Sequence, residues 1–200
     1  LIGYLIYFNT VKSDDFINSP YNTRQDTFSD RVVRGSILSS DGEVLAQTNV
    51  SEDGTEERSY PYGNTFAHVV GYDTNGKSGL ESEANFQLLS SHEFFLNQIR
   101  NEFMGTKNTG DTVVSTLNAD LQTTAYNSLG DRRGAVVALE PSTGKILAMV
   151  SKPDFDPNEY QNYDIETLNR NLPIWMSFEP GSTFKSITFA SALEEKCFGR

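Results

Sequence analysis

Cysteine and histidine are scarce in this chain. Its 200 residues include one cysteine and two histidines, which excludes an internal disulfide and a zinc site built on cysteines. The histidines, His68 and His92, stand far apart in the sequence and offer no metal-ligand spacing. The sequence therefore predicts no metal and no cofactor.

Basic residues are outnumbered by acidic ones, 16 against 27, which gives a net charge of −11. Because phosphate binding needs a basic face, nucleic acid is excluded as the main partner. Aromatic residues are plentiful, with 13 Phe, 9 Tyr and 1 Trp. They can build a core, which argues against a disordered chain despite the charge. The length allows one ordinary domain or two small ones.

The sequence opens on a short apolar segment, residues 1–8. Eight residues span about 12 Å as a helix, and a bilayer crossing needs roughly 20 residues. Two interpretations stay open: a buried strand or short helix, or the end of a truncated membrane anchor with Tyr4, Tyr7 and Phe8 at interfacial depth. The chain does not begin with methionine and stops without a terminating pattern, so we expect a fragment.

The first half of the chain predicts β-structure with many turns. Asp41-Gly42 lies between two short apolar runs, residues 37–38 and 44–45, and predicts a hairpin. Residues 66–72 predict a further short strand.

The second half predicts a helix followed by a hairpin. Asn118 is a suitable N-cap for a helix that ends at Leu129. Residues 134–139 and 146–150 are β-rich runs joined by a Pro/Gly turn, which predicts the hairpin. Residues 151–173 are polar, and we expect a long surface connection there.

The last predicted element is a buried helix from Ser182 to Cys197, entered through a Pro-Gly turn. Ser182 and Lys185 are three positions apart, so they share one helical face. A serine needs an adjacent base to act as a nucleophile, and a lysine serves if burial and the helix N-terminus lower its pKa. The backbone amide of Ser182 could also help to hold an oxyanion.

A Ser-x-x-Lys pattern alone is weakly specific. A serine that caps a helix and a lysine exposed to solvent would give the same sequence pattern. Ser142-Thr-Gly-Lys145 also fits the pattern, but it falls in the predicted hairpin turn, where the two side chains would not share a helical face. We therefore take Ser182 and Lys185 as the candidate catalytic residues because Phe184 and Ile187 favour a buried helix.

The segment Glu179-Pro-Gly-Ser-Thr-Phe-Lys185 resembles the active-site serine motif of class B penicillin-binding proteins, and further segments follow in that family's order. These are Arg34-Gly-Ser-Ile37 with Asp41-Gly-Glu-Val-Leu-Ala46, Tyr60-Pro-Tyr-Gly63, Ala67-His-Val-Val-Gly-Tyr72, Gly79-Leu-Glu81, Gly134-Ala-Val-Val-Ala-Leu139, Thr143-Gly-Lys-Ile-Leu-Ala-Met-Val-Ser151, Phe155-Asp-Pro-Asn158 and Asn169-Arg170. The likeness is greatest to short division-type members from Gram-positive bacteria.

The resemblance implies an α+β fold with a β-rich pedestal before the opening part of a serine transpeptidase domain of β-lactamase-like fold. Its boundaries would be residues 1–8 for the end of the anchor, 9–110 for the pedestal and 111–200 for the catalytic part. It also implies a single-pass anchor in the cell membrane and a catalytic domain outside the cytoplasm.

The implied reaction is the cross-linking of peptidoglycan stem peptides through an acyl-enzyme on Ser182, with Lys185 as the base. β-Lactams would acylate the same serine, and the pedestal would bind cell-wall assembly or division proteins. The family also needs Ser-x-Asn and Lys-Thr/Ser-Gly motifs after the serine, and neither follows Lys185 in this sequence. We therefore expect the 200-residue chain to be inactive by itself.

Two other classes of function stay open. A class D β-lactamase or a β-lactam sensor domain can carry a similar serine motif, although the long upstream pattern argues against a secreted β-lactamase. A non-enzymatic interaction module for cell-wall assembly is the second alternative. Turnover of penicillin would favour the β-lactamase.

Overall fold

The structure is a computed structural model that describes Tyr4, Tyr7 and residues 32–74, 76–92, 99, 101 and 103–195. The apolar segment at residues 1–8, apart from its two tyrosines, and Cys197 lie outside the described residues. Within those described ranges, no helix is long and apolar enough to cross a membrane.

The described residues combine strands and helices in an α+β arrangement, as predicted. The strands are β1 (Val32–Val33), β2 (Ile37–Leu38), β3 (Val44–Val50), β4 (Glu56–Ser59), β5 (Asn108–Thr109), β6 (Val113–Val114), β7 (Gly134–Leu139) and β8 (Ile146–Lys152). The helices are α1 (Ala67–Val70), α2 (Gly79–Glu83), α3 (Asn85–Leu89), α4 (Ala119–Leu129), α5 (Ile165–Asn169), α6 (Leu172–Trp175) and α7 (Lys185–Glu194), with 3-10 turns at Gly63–Phe66, Pro157–Asn162 and Gly181–Phe184.

Among the residues that the structure describes, the strands form three separate sheets. The largest has the order β4-β3-β2-β6, in which β2 pairs antiparallel with β3 and parallel with β6. Strands β1 and β5 form a parallel pair, and β7 and β8 an antiparallel pair. The predicted hairpin at Asp41-Gly42 is confirmed, because Gly42 takes a positive φ of 90° between β2 and β3.

Two sequence patterns in the second half are also confirmed. The side chain of Asn118 caps α4 by accepting a hydrogen bond from the Leu121 amide at 2.8 Å. Strands β7 and β8 form the predicted hairpin, with Val136 opposite Val150. Both features depend on contacts between residues close in sequence, which is why the local pattern identifies them.

The strand predicted for residues 66–72 is wrong. The chain instead forms a 3-10 turn that leads into α1, and it leaves the helix at Gly71, where φ is 84°. A four-residue helix is too short to show a helical period, so packing determines it. Phe66, Ala67 and Val70 are all buried.

The surface connection predicted for residues 151–173 is also wrong. This segment contains the 3-10 turn Pro157–Asn162, α5 and α6. Phe155, Leu168 and Leu172 anchor it because all three are buried. Apolar residues so widely spaced give no periodic signal.

The main core crosses the predicted boundary between residues 110 and 111. It joins Ile37 and Leu45 of the first sheet to Leu117 and Ala119 of the following segment. A second core cluster contains Ala67, Tyr72, Phe155 and Leu168.

Candidate active site

Ser182 lies in the 3-10 turn Gly181–Phe184, which continues directly into α7. Gly181 has a φ of 51° and redirects the chain into the turn, and Lys185 has helical angles of −60° and −27°. The backbone is therefore helical from the turn onward, and Ser182 and Lys185 stand one turn apart on it.

The second Ser-x-x-Lys, at Ser142 and Lys145, lies between β7 and β8. Its turn is closed by the Gly144 amide, which donates to the Glu140 carbonyl at 2.8 Å, and Gly144 has a φ of 75°. A positive φ breaks the helical path between the serine and the lysine. The two Ser-x-x-Lys patterns therefore differ in backbone conformation: the one at Ser182 is helical, and the one at Ser142 lies in a hairpin turn.

The predicted burial of the last helix is wrong for the described residues. Phe184, Ile187, Phe189 and Leu193 are each more than half exposed. Lys185 is exposed as well. The sequence argument for a lysine base needs a buried lysine. The described residues do not bury Lys185.

Hydrogen bonds fix the segment that leads to Ser182. The Ser151 hydroxyl of β8 donates to the Arg170 carbonyl at 3.0 Å and accepts from the Leu172 amide at 3.0 Å. The side-chain amide of Asn171 donates to the His68 carbonyl at 3.3 Å. Helix α6 is therefore held against both β8 and α1.

His68 is buried beneath this segment. Its Nε2 atom lies 3.1 Å from the Thr167 carbonyl, and its ring meets Phe155 edge-on at 5.0 Å. Burial lowers the pKa of His68, and the contact with Thr167 and the charge of Asp154 oppose that effect.

Gln122 of α4 is fully buried, and the sequence analysis did not identify it. Its side-chain NH₂ donates to the carbonyls of Thr65 and Met149 at 2.8 and 2.9 Å, and its oxygen accepts from the Met149 amide at 2.8 Å. One amide thus joins α4, β8 and the turn before α1. An isolated glutamine in a helical pattern gives no sign of such a role.

Arg34, Arg58 and Glu81 form a buried ion network. Glu81 has no exposed surface and receives Arg34 Nε at 2.7 Å and Arg58 Nε at 2.8 Å. Arg34 also donates to the side chain of Asn85 at 2.6 Å. Arg34 and Glu81 belong to segments that carry the family resemblance, but their pairing was not predicted.

In the part of the chain that the structure describes, no group of three or more His, Cys, Asp or Glu side chains could hold an ion. The chemistry available around residue 182 is that of a hydroxyl, an amine and backbone amides.

Two family profiles match the chain. Residues 34–113 match the penicillin binding protein A dimerisation domain, and residues 134–200 match the penicillin binding protein transpeptidase domain. The second match includes both Ser-x-x-Lys patterns.

Curated relatives agree with these matches. The chain is 38% identical over 185 residues to the peptidoglycan D,D-transpeptidase PbpA of Mycolicibacterium smegmatis, covering 80% of this chain and 37% of the relative. It is 36% identical over 167 residues to stage V sporulation protein D of Bacillus subtilis, and the match covers 74% of this chain and 25% of that relative. The chain thus spans well under half the length of these relatives.

Solved structures give the same result. Penicillin-binding protein A from M. tuberculosis, as an imipenem acyl-enzyme complex, superposes with a TM-score of 0.69 and 32% identity, over 81% of this chain and 42% of that one. A D,D-transpeptidase domain from Eggerthella lenta superposes with a TM-score of 0.68 and 35% identity, over 84% of this chain and 39% of that one. The two penicillin-binding protein profiles, the relatives and the solved structures agree, and the chain belongs to the class B penicillin-binding proteins.

Proposed function

We propose that the complete protein is a peptidoglycan D,D-transpeptidase that uses Ser182 as its nucleophile and Lys185 as the base. The observation that carries this proposal is the position of the two residues, one helical turn apart at the start of α7. They also lie within the residues that match the transpeptidase family.

In the first half-reaction, Ser182 Oγ attacks the carbonyl carbon of the penultimate D-Ala of a stem peptide, while Lys185 Nζ accepts the hydroxyl proton. Backbone N–H groups at the start of the helix stabilise the oxyanion that forms. The bond to the terminal D-Ala then breaks, and that residue leaves as an amine with the proton. An ester on Ser182 remains.

In the second half-reaction, an amine from a neighbouring stem peptide attacks the ester carbonyl. The new amide bond is the cross-link, and the Ser182 hydroxyl is restored as its C–O bond breaks. A β-lactam follows the first half-reaction only: its ring amide opens and the ester persists. The M. tuberculosis neighbour with imipenem is an acyl-enzyme of this chemical type.

The remaining parts of the proposal concern the rest of the chain. We assign residues 9–110 to a pedestal and residues 111–200 to the catalytic part. A single-pass anchor at the N-terminal side, to which residues 1–8 would belong, would hold the protein in the cell membrane with its catalytic part outside the cytoplasm.

A second function is favoured by one observation, the match of residues 34–113 to a dimerisation domain. We propose that the pedestal holds cell-wall assembly or division proteins, and that this interaction does not need Ser182. Partner capture that survives in the Ser182→Ala variant would support it, and capture that fails together with acylation would contradict it.

Labelling of the complete protein with a fluorescent penicillin tests the catalytic proposal. Ser182→Ala should abolish the label, and Ser142→Ala should leave it intact because that serine lies in the β7–β8 turn. Persistent labelling of the Ser182→Ala variant would overturn the assignment. Rapid hydrolysis of penicillin by the unmodified protein, without a stable ester, would instead favour the β-lactamase alternative.

A further inference from the structure

The start of helix α6 is the last point before Ser182 at which the described chain is fixed in the interior. Leu172, the first residue of α6, is 1% exposed. From Pro173 to Glu195, all of which the structure describes, no residue is buried. The described contacts that place Ser182 relative to the core are therefore those at the start of α6.

One side chain of β8 holds that start. Because Leu172 is the first residue of α6, its amide has no acceptor within the helix, and the Ser151 hydroxyl accepts from it at 3.0 Å. The same hydroxyl donates to the Arg170 carbonyl at 3.0 Å. Ser151 is 4% exposed, so removing its hydroxyl leaves an amide and a carbonyl without their partner in a place that water does not reach easily.

The link from α6 to the nucleophile is short. The Met176 amide closes α6 by donating to the Leu172 carbonyl at 3.1 Å, and the Thr183 amide donates to the Pro180 carbonyl at 3.0 Å in the turn that contains Ser182. Three residues, 177–179, separate these two hydrogen-bonded turns. A displacement at the start of α6 is therefore carried toward Ser182 through one short segment.

We propose that Ser151 is a positioning residue for Ser182: by holding the start of α6, its hydroxyl keeps the nucleophile in the geometry that attack requires. This inference rests on the proposed function, because it concerns the acylation of Ser182. Reaction rates depend steeply on such placement, and a misplacement of about 1 Å can cost roughly 100-fold. Ser151 acts through α6 and not on the reacting atoms.

Ser39, between β2 and β3, offers a matched control. It has no exposed surface, and its hydroxyl makes the same pair of bonds, accepting from the Glu43 amide at 2.8 Å and donating to the Glu43 carbonyl at 3.3 Å. Both bonds stay within the turn between those strands. Ser39→Ala therefore removes a buried hydroxyl of the same kind and leaves the contacts of α6 in place.

Amide hydrogen exchange of the 200-residue chain tests the anchor by itself. Ser151→Ala should speed the exchange of the Leu172 amide about fivefold or more, as expected for one lost hydrogen bond. Ser151→Thr, which keeps the hydroxyl, should restore the slow exchange, and Ser39→Ala should not change it. Unchanged exchange of the Leu172 amide in Ser151→Ala would overturn the proposal.

Acylation kinetics of the complete protein test the positioning. The rate of ester formation at several concentrations of a fluorescent penicillin separates the affinity of the noncovalent complex from the acylation rate constant. Ser151→Ala should lower that rate constant at least about tenfold and leave the affinity within about twofold. Ser151→Thr should recover the rate constant, and Ser39→Ala should leave it unchanged.

A merely structural role of Ser151 would give a different result. It would reduce the fraction of protein that labels and leave the rate constant of that fraction unchanged, which would overturn the proposal. If Ser151→Ala does not fold, Ser151→Cys decides by the same measurement, because a thiol of similar size is a weak hydrogen-bond partner.

The outcomes separate this proposal from the catalytic one. An unchanged rate constant in a folded Ser151 variant, in a protein whose label requires Ser182, would overturn the positioning role alone. Labelling that persists in Ser182→Ala would overturn the proposed function, and the positioning role with it.

Discussion

Glu81 is a fully buried carboxylate whose charge is matched by Arg34 and Arg58. Glu81→Gln keeps the shape but leaves two guanidinium groups without their anion. Breaking a buried pair in this way costs about 3–5 kcal/mol, so we expect a loss of that size in the free energy of unfolding, measured with urea. Glu57→Gln, at an exposed position of β4, is the control and should change stability by less than about 0.5 kcal/mol. Equal effects would show that the network contributes nothing.

Gln122 presents a second residue-scale test. Gln122→Glu is isosteric, but a carboxylate would face the carbonyls of Thr65 and Met149 without protons to donate. We expect a loss of about 2 kcal/mol or more in the free energy of unfolding. Gln87→Glu, at an exposed position, controls for the added charge. Matching stabilities for the two variants would contradict the bridging role.

His68 predicts a pH dependence. Burial lowers its pKa in the folded state below the ordinary 6.5, so the unfolded state binds more protons as the solution becomes acidic. Its contribution to stability is therefore present above the unfolded pKa and is lost as pH falls through the window below 6.5. The stability advantage of the unmodified chain over His68→Gln should shrink between about pH 7.5 and about pH 5.5. A stability advantage that grows as the pH falls over that interval would contradict a lowered pKa of His68.

At the scale of elements, local patterns succeeded where the contacts are local. The Asp41-Gly42 turn and the Asn118 cap depend on neighbours a few residues away, and both were predicted. Helices α1, α5 and α6 were not predicted, because they are short and set by distant contacts. The ion pair of Arg34 and Glu81 was not predicted for the same reason, because the two residues are 47 positions apart.

Phe155 tests the segment that was expected to be a surface connection. It has no exposed surface and packs edge-on against His68 and Tyr163. Phe155→Ala should cost about 3–5 kcal/mol in the free energy of unfolding. Ile165→Ala, in α5 and 76% exposed, is the matched control and should cost less than about 0.5 kcal/mol. A small effect at Phe155 would mean that the segment is not anchored as described.

At the scale of the whole molecule, the segments before and after residues 110 and 111 share a core. Ile37 and Leu45 pack with Leu117 and Ala119, and Gln122 and Asn171 add hydrogen bonds from the later segment to residues 65 and 68. These contacts reach the segment that leads to Ser182. The candidate serine and lysine could be identified from their motif, whereas the exposure of α7 could not, because a helical pattern does not say what covers it.

The most direct test of the central claim is the position of the penicillin ester. Trypsin releases Ser182 within residues 171–185 and Ser142 within residues 134–145, so mass spectrometry of the acylated complete protein separates the two patterns. We predict the penicilloyl adduct on residues 171–185, with fragmentation placing it on Ser182 rather than Ser177. An adduct on residues 134–145, on Ser177, or on no serine of this chain would contradict the assignment.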